Sequence, residues 1–361
     1  MVDAADRFWL GTRKGLFRVD RGGGGWTVGE PAFPGQAVSM VLPDPRGGAL
    51  YAALALGHFG VKLHRSDDGG RSWTELPAPA YPAADGGDGP SLELIWSLEA
   101  AGPDRPGELW AGTIPGGLFH SADRGLSWTL NRALWDRPER AEWFGGGYDH
   151  AGIHSVSVDP RDSRRVAVAV SCGGVWLTED GGASWEARTR GMVAGYAPPE
   201  RREDPVMQDP HRMVRCAAAP DVFWVQHHSG IFRSADGAAS WTMHEPRGPG
   251  SFGFAVAVHP RDPDTAWFAP ALADEVRMPR DGRLVVTRTR DGGRSFEVLD
   301  RGLPAPPAYD LVYRHGLEVA PDGRTLAMAS TTGGLWVSED GGERWTAVPA
   351  RLPPVACLRF G

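Results

Sequence analysis

Imidazole side chains are the most reactive groups that recur in this 361-residue chain, which has 11 histidines. Histidine binds divalent metals and transfers protons near neutral pH. Three or more neutral imidazoles beside a carboxylate or amide would form an open metal site, whose ion could polarise a substrate or generate a hydroxide. Metal-free catalysis by histidine and purely structural hydrogen bonding remain as alternatives. The candidate metal ligands are His58, His154, His211 and His228.

Carboxylates close to arginine and tyrosine form a second set of candidates. Asp274 and Glu275 lie in one such stretch, and Tyr309 and Asp310 lie shortly before Arg314 in another. Such groups suit acid–base chemistry on a sugar or small acid, although solvated loop salt bridges would give the same pattern. The candidate catalytic residues are His154, His211, Asp149, Asp274, Glu275, Tyr309 and Asp310.

Substrate binding is predicted at a third set of cationic, polar and aromatic side chains. Residues 129–152 contain Trp143 and three consecutive glycines at 145–147, which would form a stacking wall or lid for a sugar ring, or else a plug. Arginine and lysine would bind a substrate anion. The candidates are Arg13, Lys14, Glu93, Trp143, Gln226, Arg314 and His315.

The element that must position these residues is a repeat marked by an octapeptide. Each copy runs Ser/Thr, any residue, Asp, any residue, usually Gly, two more residues and an aromatic. The aromatics that close successive copies are 47, 55, 57, 56, 55 and 49 residues apart. Asp-Gly-Gly between strands is hairpin chemistry, so we interpret each Asp as structural. Six copies begin at Ser66, Ser121, Thr178, Ser234, Thr289 and Ser338, and a degenerate seventh begins at Val19.

Each repeat is predicted to form four antiparallel strands, which is one propeller blade. In the clearest repeat the strands are expected at residues 153–158, 165–170, 175–178 and 184–188. The first repeat lacks its first strand, whereas an extra strand is predicted at Val355–Phe360. Pairing that strand with the N-terminal blade closes the ring and removes the open sheet edges. The sequence therefore predicts an all-β, seven-bladed β-propeller, with residues 1–361 as a single domain.

These repeats resemble those of the Asp-box (BNR) β-propellers, the broad sialidase-like and YVTN/BNR-like group. The resemblance covers essentially the whole chain and implies the fold, but the group has several functions. Similar boxes occur in sialidases, xyloglucan-cleaving glycosidases, sortilin-type receptors and a photosystem II assembly factor. A sialidase site would need three arginines and a Tyr–Glu pair. Arg13 and Arg314 provide two of the arginines, and the sequence places neither a third nor the pair, so exo-sialidase activity is the less favoured alternative.

Blade topology predicts the face on which the site lies. The octapeptide turns join third to fourth strands, and the long segments at residues 74–90, 129–152, 186–210, 270–283 and 297–313 fall on the opposite face. His154 and His211 lie 31 and 30 residues before the closing aromatics of their repeats. His58 and Gln226 lie 15 residues, and His228 lies 13 residues, before theirs. These residues should therefore converge at one rim of the central channel.

Composition restricts the function classes. The net charge is −7 without a basic cluster, which argues against nucleic acid, and no apolar run is long enough to span a membrane. The acidic N-terminus does not resemble a signal peptide, and three scattered cysteines indicate neither disulfides nor a zinc ribbon, so a cytoplasmic protein is expected.

The predicted activity is that of a hydrolase or lyase acting at the loop-rich mouth. Its substrate would be small and polar or carbohydrate-derived, and its chemistry would use the histidine cluster, with a divalent metal ion or without one. No organic cofactor is expected. The alternative is a non-catalytic scaffold that binds a protein or peptide on the same face.

Overall fold

Each sequence repeat folds into one four-stranded antiparallel sheet. The computed structural model describes residues 4–83, 89–246 and 248–361, and over these ranges it contains seven such sheets. Strands that are consecutive in sequence pair within each sheet, and the first sheet also contains the last strand of the chain. The strands are β1 (Arg7–Thr12), β2 (Gly15–Gly22), β3 (Gly25–Val28), β4 (Val38–Pro43), β5 (Leu50–Ala55), β6 (Val61–Ser66), β7 (Thr74–Leu76), β8 (Leu94–Ala100), β9 (Leu109–Ile114), β10 (Leu118–Ser121), β11 (Thr129–Leu130), β12 (Ile153–Asp159), β13 (Asp162–Val170), β14 (Gly174–Thr178), β15 (Glu186–Ala187), β16 (Pro210–Arg215), β17 (Phe223–His227), β18 (Gly230–Ser234), β19 (Thr242–His244), β20 (Gly253–Val258), β21 (Ala266–Pro270), β22 (Val286–Thr289), β23 (Glu297–Leu299), β24 (Leu317–Val319), β25 (Leu326–Ala329), β26 (Leu335–Ser338), β27 (Thr346–Ala347) and β28 (Val355–Phe360).

Helical structure is confined to short connections. The one α-helix in the described ranges is the four-residue α1 (Arg132–Trp135), capped by the Asn131 side chain. None of the described helices is long and apolar enough to span a membrane. The other helical segments of the described ranges are short 3₁₀-helices at Ala4–Asp6, Gly57–Phe59, Pro138–Glu142, Pro199–Arg201, Pro205–Met207 and Arg280–Gly282.

The C-terminal strand completes the first blade, as predicted. β28 pairs antiparallel with β1, with Phe8 opposite Phe360 and Leu10 opposite Leu358. The sheet order β28-β1-β2-β3 places the last strand at the innermost edge of the first sheet. The inner strands β28, β4, β8, β12, β16, β20 and β24 each contact the next, and β24 contacts β28. The molecule is therefore a closed seven-bladed propeller, and its first and last residues lie in the same blade.

The octapeptide turns are closed by their own side chains. In the fourth blade, Thr178 Oγ1 and Ser184 Oγ donate to the Asp180 carboxylate at 2.7 and 2.6 Å, and the Ser184 N–H donates to it at 2.9 Å. Gly182 has φ +91, and a Cβ there would lie 2.4 Å from Nδ2 of Asn131 in the preceding crossover. The closing Trp185 donates its indole N–H to Asn131 Oδ1 at 2.9 Å. This turn thus fixes its blade against the preceding connection, and Asp180 has a structural role.

Acid should weaken these turns. The hydroxyl of Ser184 and then its backbone N–H lower the pKa of Asp180 from 3.8 to about 2. Because the folded pKa is the lower one, the stabilisation is fully present above pH 3.8 and is lost as the pH falls toward 2. Urea denaturation at a series of pH values should show a steeper loss of stability between pH 4 and 2 in wild type than in Asp180→Asn. Parallel curves for the two proteins would contradict this role of the carboxylate.

The long connections surround one mouth of the channel. Residues from the 129–152, 270–283 and 297–313 segments, or directly after them, line a common cavity with the turn after β1. The predicted segment 74–90 includes residues 84–88, which lie outside the described residues. The opposite mouth is formed by the ends of the inner strands near Pro160, Ala217 and Val319.

Candidate functional site

A cavity of about 590 Å³ occupies the loop-bearing mouth of the channel. The inner strands supply its floor, because their first residues project into the channel where the crossovers enter. Its volume is within the usual range for small-molecule sites. The lining residues are Arg13, Ser39, Leu94, Trp96, Gly146, Gly147, Tyr148, Arg277, Tyr313, Arg314, His315, Thr331, Pro354, Val355 and Ala356.

Arg314 is the most unusual residue of this cavity. Its side chain is buried, with 7% of the residue exposed, and its guanidinium lies 4.6 Å from the ring centroid of Trp96 and 5.5 Å from that of Phe254. Burial lowers its pKa from the usual value, and the Asp209 carboxylate opposes that shift. No described residue hydrogen-bonds Nε or Nη2 of Arg314. Arg314 is therefore a desolvated cation at the cavity wall that forms no ion pair within the described part of the chain.

Two further arginines line the same cavity. Arg277, in the β21–β22 loop, pairs with Asp274 at 2.8 Å and lies 5.6 Å from the Phe254 ring. The exposed Arg13 follows β1, and its backbone N–H donates to Pro354 O at 3.1 Å. Three positive side chains thus converge from three separate blades.

The opposite end of the channel contrasts with this arrangement. There Arg359 contacts the carboxylates of Glu99 and Glu318, which line a second cavity of about 340 Å³. Its buried positive charge is thus balanced by two acids of the protein itself. Burial lowers the pKa of the neighbouring Arg212 to about 10. Arg314 has no such ion pair among the described residues.

A compact cluster of one carboxylate and two imidazoles lies beside the arginine cavity. Asp209 Oδ2 is 3.2 Å from His211 Nε2 and 3.5 Å from His228 Nδ1. The three ligand atoms all lie within 4.8 Å of one another. Asp209 and His211 are buried at the start of β16, whereas His228 is partly exposed in the β17–β18 turn. The cluster is therefore reachable from the surface on one side.

Electrostatics hold this cluster in a charged state. Burial would raise the pKa of Asp209, but His211, His228 and Arg314 outweigh it and hold that pKa well below its usual range. Burial also disfavours protonation of His228, yet its hydrogen bond to Asp209 raises its pKa above the usual value. The neighbouring His227 is fully buried, and burial lowers its pKa to about 3. The cluster thus combines an ionised carboxylate with a partly solvated imidazole.

A glycine segment separates the cluster from the cavity. Gly146 and Gly147 line the cavity. A Cβ at Gly146 would lie 2.8 Å from Ser171 Oγ, 2.9 Å from Cys172 Sγ and 3.4 Å from Asp209 Oδ2. Only a residue without a side chain allows the backbone to lie this close over the cluster. The three-glycine run therefore forms a thin wall between the acid–imidazole cluster and the arginines.

Several sequence candidates lie at this site. Arg13, Arg314 and His315 line the cavity, and His211 and His228 belong to the cluster. His315 is buried, and neither of its ring nitrogens has a hydrogen-bond partner among the described residues. Burial lowers its pKa well below the usual value, so it is neutral.

Two of the predicted metal ligands lie elsewhere. His58 is exposed in the Gly57–Phe59 turn, where its ring lies 3.9 Å from that of Phe59, and it belongs to no metal-binding group of the described residues. His154 is fully buried, and its nitrogens are engaged by Pro210 O at 2.7 Å and Ser155 Oγ at 2.9 Å. The structure therefore does not bring His58 or His154 into the cluster around Asp209, and the ring of His154 links two inner strands.

Gln226, Trp143 and Asp310 contact other parts of the protein, and none of them lines the cavity. The Gln226 amide is buried and donates to three backbone carbonyls, that of Ser251 at 2.8 Å. Trp143 packs against Trp176 inside the fourth blade. Asp310 accepts hydrogen bonds from the hydroxyls of Ser330 and Thr332.

The remaining candidates lie around the rim. Glu93 pairs with His150 at 2.8 Å. Asp274 holds Arg277, and together with Glu275 it favours the protonated form of His228. Residues that are exposed and lie outside the cavity lining are Lys14, Asp149 and Tyr309.

Sequence reasoning missed Asp209, Trp96 and the position of Arg277. Asp209 precedes His211 by two residues, which is the spacing that puts side chains on one face of an extended segment. That spacing was a usable signal. Trp96 lies within β8 and carries no motif. Arg277 is in a long loop whose path the sequence does not determine.

Comparisons with known proteins find sequence similarity to xyloglucanases. No family model matches the chain. It is 25% identical over 354 residues to a probable oligoxyloglucan-reducing end-specific xyloglucanase of Neosartorya fischeri, covering 90% of this chain and 40% of that protein. It is 26% identical over 330 residues to the Emericella nidulans oligoxyloglucan-reducing end-specific xyloglucanase, covering 82% and 37%. The chain thus spans about two fifths of the length of these relatives.

The solved structures agree on the fold. An ancestral GH74 enzyme superposes with a TM-score of 0.60 and 15% identity, covering 91% of this chain and 37% of that one. At this identity the likeness shows the fold alone. The chain is a seven-bladed β-propeller that is similar in sequence to xyloglucanases.

Proposed function

We propose that this protein is a hydrolase whose substrate is a small, carbohydrate-derived molecule carrying a carboxylate, bound in the arginine-lined cavity. The sequence similarity to xyloglucanases supports hydrolysis of a carbohydrate. The evidence for a negatively charged substrate is the buried guanidinium of Arg314, which forms no ion pair with any described residue.

A buried charge without a partner is costly. The effective penalty for desolvating one ion in a protein is several kcal/mol, which neighbouring groups or a ligand must offset. Trp96 recovers part of it, since a cation over an aromatic face contributes about 0.5–2 kcal/mol. Nε and Nη2 of Arg314 have no hydrogen-bond partner among the described residues and are themselves shielded from solvent, while the residue as a whole lines the cavity. A carboxylate in the cavity would balance the charge and accept a hydrogen bond from the guanidinium.

Arg277 and Arg13 would strengthen the binding of the anion and favour it over neutral molecules. The charge of Arg277 is partly balanced by Asp274. Arg277 would therefore orient the bound anion more than it would add net positive charge to the cavity. Arg13 is solvent-exposed at the entrance and would act mainly in attracting the substrate, an effect that salt screens.

Aromatic side chains suit the rest of a sugar. The rings of Trp96 and Tyr148 meet edge to face with centroids 5.1 Å apart, and both residues line the cavity. Tyr148 is 48% exposed, so part of its side chain is accessible. Apolar ring surfaces beside a few placed polar groups are the usual make-up of a small-molecule site.

The reactive groups in this proposal are Asp209, His211 and His228, behind the wall formed by Gly146 and Gly147. This wall lies in the long 131–152 connection, and glycine-rich connections of this kind can move to admit substrate. The anion would be held by the arginines, and the scissile bond would point toward the cluster.

Matched glycosides test this function. We expect 4-nitrophenyl glucuronides or galacturonides to be hydrolysed, and the corresponding neutral glucosides and galactosides to be at least 100-fold poorer substrates by kcat/KM, because only the uronides pair with Arg314 (about 2.7 kcal/mol at 1.36 per tenfold). The measurement is release of nitrophenol by both anomers of each sugar.

The same set of glycosides can also contradict the proposal. Equal rates on uronides and neutral glycosides would overturn the anionic substrate. If no glycoside is hydrolysed and no free uronate raises the Tm, the proposal is wrong and the alternative of a non-catalytic scaffold is favoured. Lys14→Met is the matched control, since Lys14 is a cation of the same face outside the cavity lining, and it should behave as wild type.

A further inference from the structure

We propose that Asp209, His211 and His228 bind one divalent transition-metal ion, with an open coordination position next to the glycine wall. This inference goes beyond the proposed function, because metal binding is measurable without any substrate. It also revises the ligand set expected from the sequence: Asp209 enters it, and His58 and His154 leave it.

The spacing of the ligand atoms fits a metal. Ligands about 2.1 Å from a tetrahedral ion lie about 3.4 Å from one another. Asp209 Oδ2 is 3.2 Å from His211 Nε2 and 3.5 Å from His228 Nδ1. All three atoms lie within 4.8 Å of one another, so a small inward rotation of the partly exposed His228 would complete the geometry.

The hydrogen bonds of His211 direct its other ring nitrogen at Asp209. Its Nδ1 lies 2.6 Å from Gly253 O, and a carbonyl only accepts, so Nδ1 is the donor there. Nε2 lies 3.2 Å from Asp209 Oδ2 and is the nitrogen of His211 that can act as a metal ligand.

The surroundings resemble the supporting shell of a metal centre. A histidine ligand usually donates its other ring N–H to a carbonyl or carboxylate, as His211 does to Gly253 O. The backbone N–H of Cys172 donates to Asp209 Oδ1 at 3.2 Å, which leaves Oδ2 as the ligand. The His228 N–H donates to Asp209 O at 2.9 Å and ties the turn to the start of β16. Asp209, His211 and the backbone of His228 are therefore held in place before any ion binds.

The donor set indicates the class of metal. Two imidazoles and one carboxylate suit Zn²⁺, Fe²⁺ or Mn²⁺ better than Ca²⁺ or Mg²⁺, which prefer oxygen ligands. Three protein ligands leave a position for water or a substrate oxygen, as in catalytic zinc sites. Gly146 is adjacent to Asp209 and also lines the arginine cavity, so this position is close to the proposed substrate.

Metal binding by the full-length, untagged protein tests the inference. After stripping with a chelator, titration with Zn²⁺ should show one saturable site, and Co²⁺ should give the visible absorption of a low-symmetry complex with nitrogen ligands. His228→Ala removes one ligand from a partly exposed turn and should weaken the affinity at least about 100-fold, more than the 10–100-fold typical of supporting residues. His58→Ala is the matched control and should bind as wild type.

Each outcome decides the question. Equal Zn²⁺ affinity in wild type and His228→Ala would overturn the site, as would the lack of saturable binding by wild type. Circular dichroism of both variants shows whether they are folded. If His228→Ala is unfolded, His228→Gln provides the same comparison, and a Co²⁺ spectrum unchanged in that variant would overturn the proposal. Uronate binding is measured separately, so the metal site and the proposed function can fail independently.

Discussion

Replacing Arg314 with methionine will weaken the binding of a uronate at least about 100-fold and will also stabilise the unliganded protein by about 1–3 kcal/mol. The first effect follows from loss of the cation that faces the cavity. The second follows from removal of a buried charge that no described residue pairs. A residue kept for structure alone would show the opposite sign of stability change.

The expected gain in stability is the balance of two terms. Loss of the guanidinium forfeits its contacts with the Trp96 and Phe254 rings and its attraction to Asp209. Removal of the charge relieves a desolvation penalty of several kcal/mol. Methionine has a similar length and packs well against aromatic rings, so little cavity is left behind.

Urea denaturation and calorimetric titration with glucuronate or galacturonate measure the two effects. Lys14→Met, which removes a cation outside the cavity lining, should change neither quantity. A destabilised Arg314→Met variant that still binds uronate as wild type does would contradict both the unpaired state of Arg314 and its role.

Deleting residues 355–361 will abolish the cooperative fold. β28 is the inner strand of the first blade, and it contacts β4 and β24 of the adjacent blades as well as β1. Its loss exposes the edge of β1 and the buried side chains Leu10 and Phe8. An exposed strand edge promotes edge-to-edge association between molecules. We expect loss of the sharp thermal transition and aggregation of the truncated chain.

Point variants separate closure from simple deletion. Leu358 is buried, so Leu358→Ala should cost about 2–4 kcal/mol. Arg351→Ala, an exposed change just before β28, should be neutral. A truncated protein whose Tm lies within a few degrees of wild type would show that closure by β28 contributes little.

The architecture was predictable because its signals are local. Each octapeptide is a self-closing turn whose residues hydrogen-bond one another, as Thr178, Asp180 and Ser184 do. Strand ends were less accurate: β13 begins at Asp162 rather than at 165, because its ladder with β12 continues to the Asp159–Asp162 pair. The last strand of that blade is only Glu186–Ala187, since the chain leaves the sheet toward a long crossover.

The site was only partly predictable because side-chain partners depend on neighbouring blades. Spacing placed His154 and His211 at equivalent positions, and a backbone carbonyl of the next blade engages each ring: Pro210 O for His154 and Gly253 O for His211. The two differ because Asp209 stands two residues before His211, whereas Gly152 stands two residues before His154. Arg314 was found because it lies directly before an inner strand, and Trp96, which stacks on it, comes from a blade more than 200 residues earlier.

The most direct measurement is a thermodynamic cycle that changes the protein and the ligand together. Binding of a uronate and of its neutral sugar counterpart is measured for wild type and for Arg314→Met. If the carboxylate pairs with Arg314, the two changes will couple by at least about 2 kcal/mol, as expected for a desolvated charge pair. Additive effects, with the uronate preferred equally by both proteins, would contradict an anion site at Arg314.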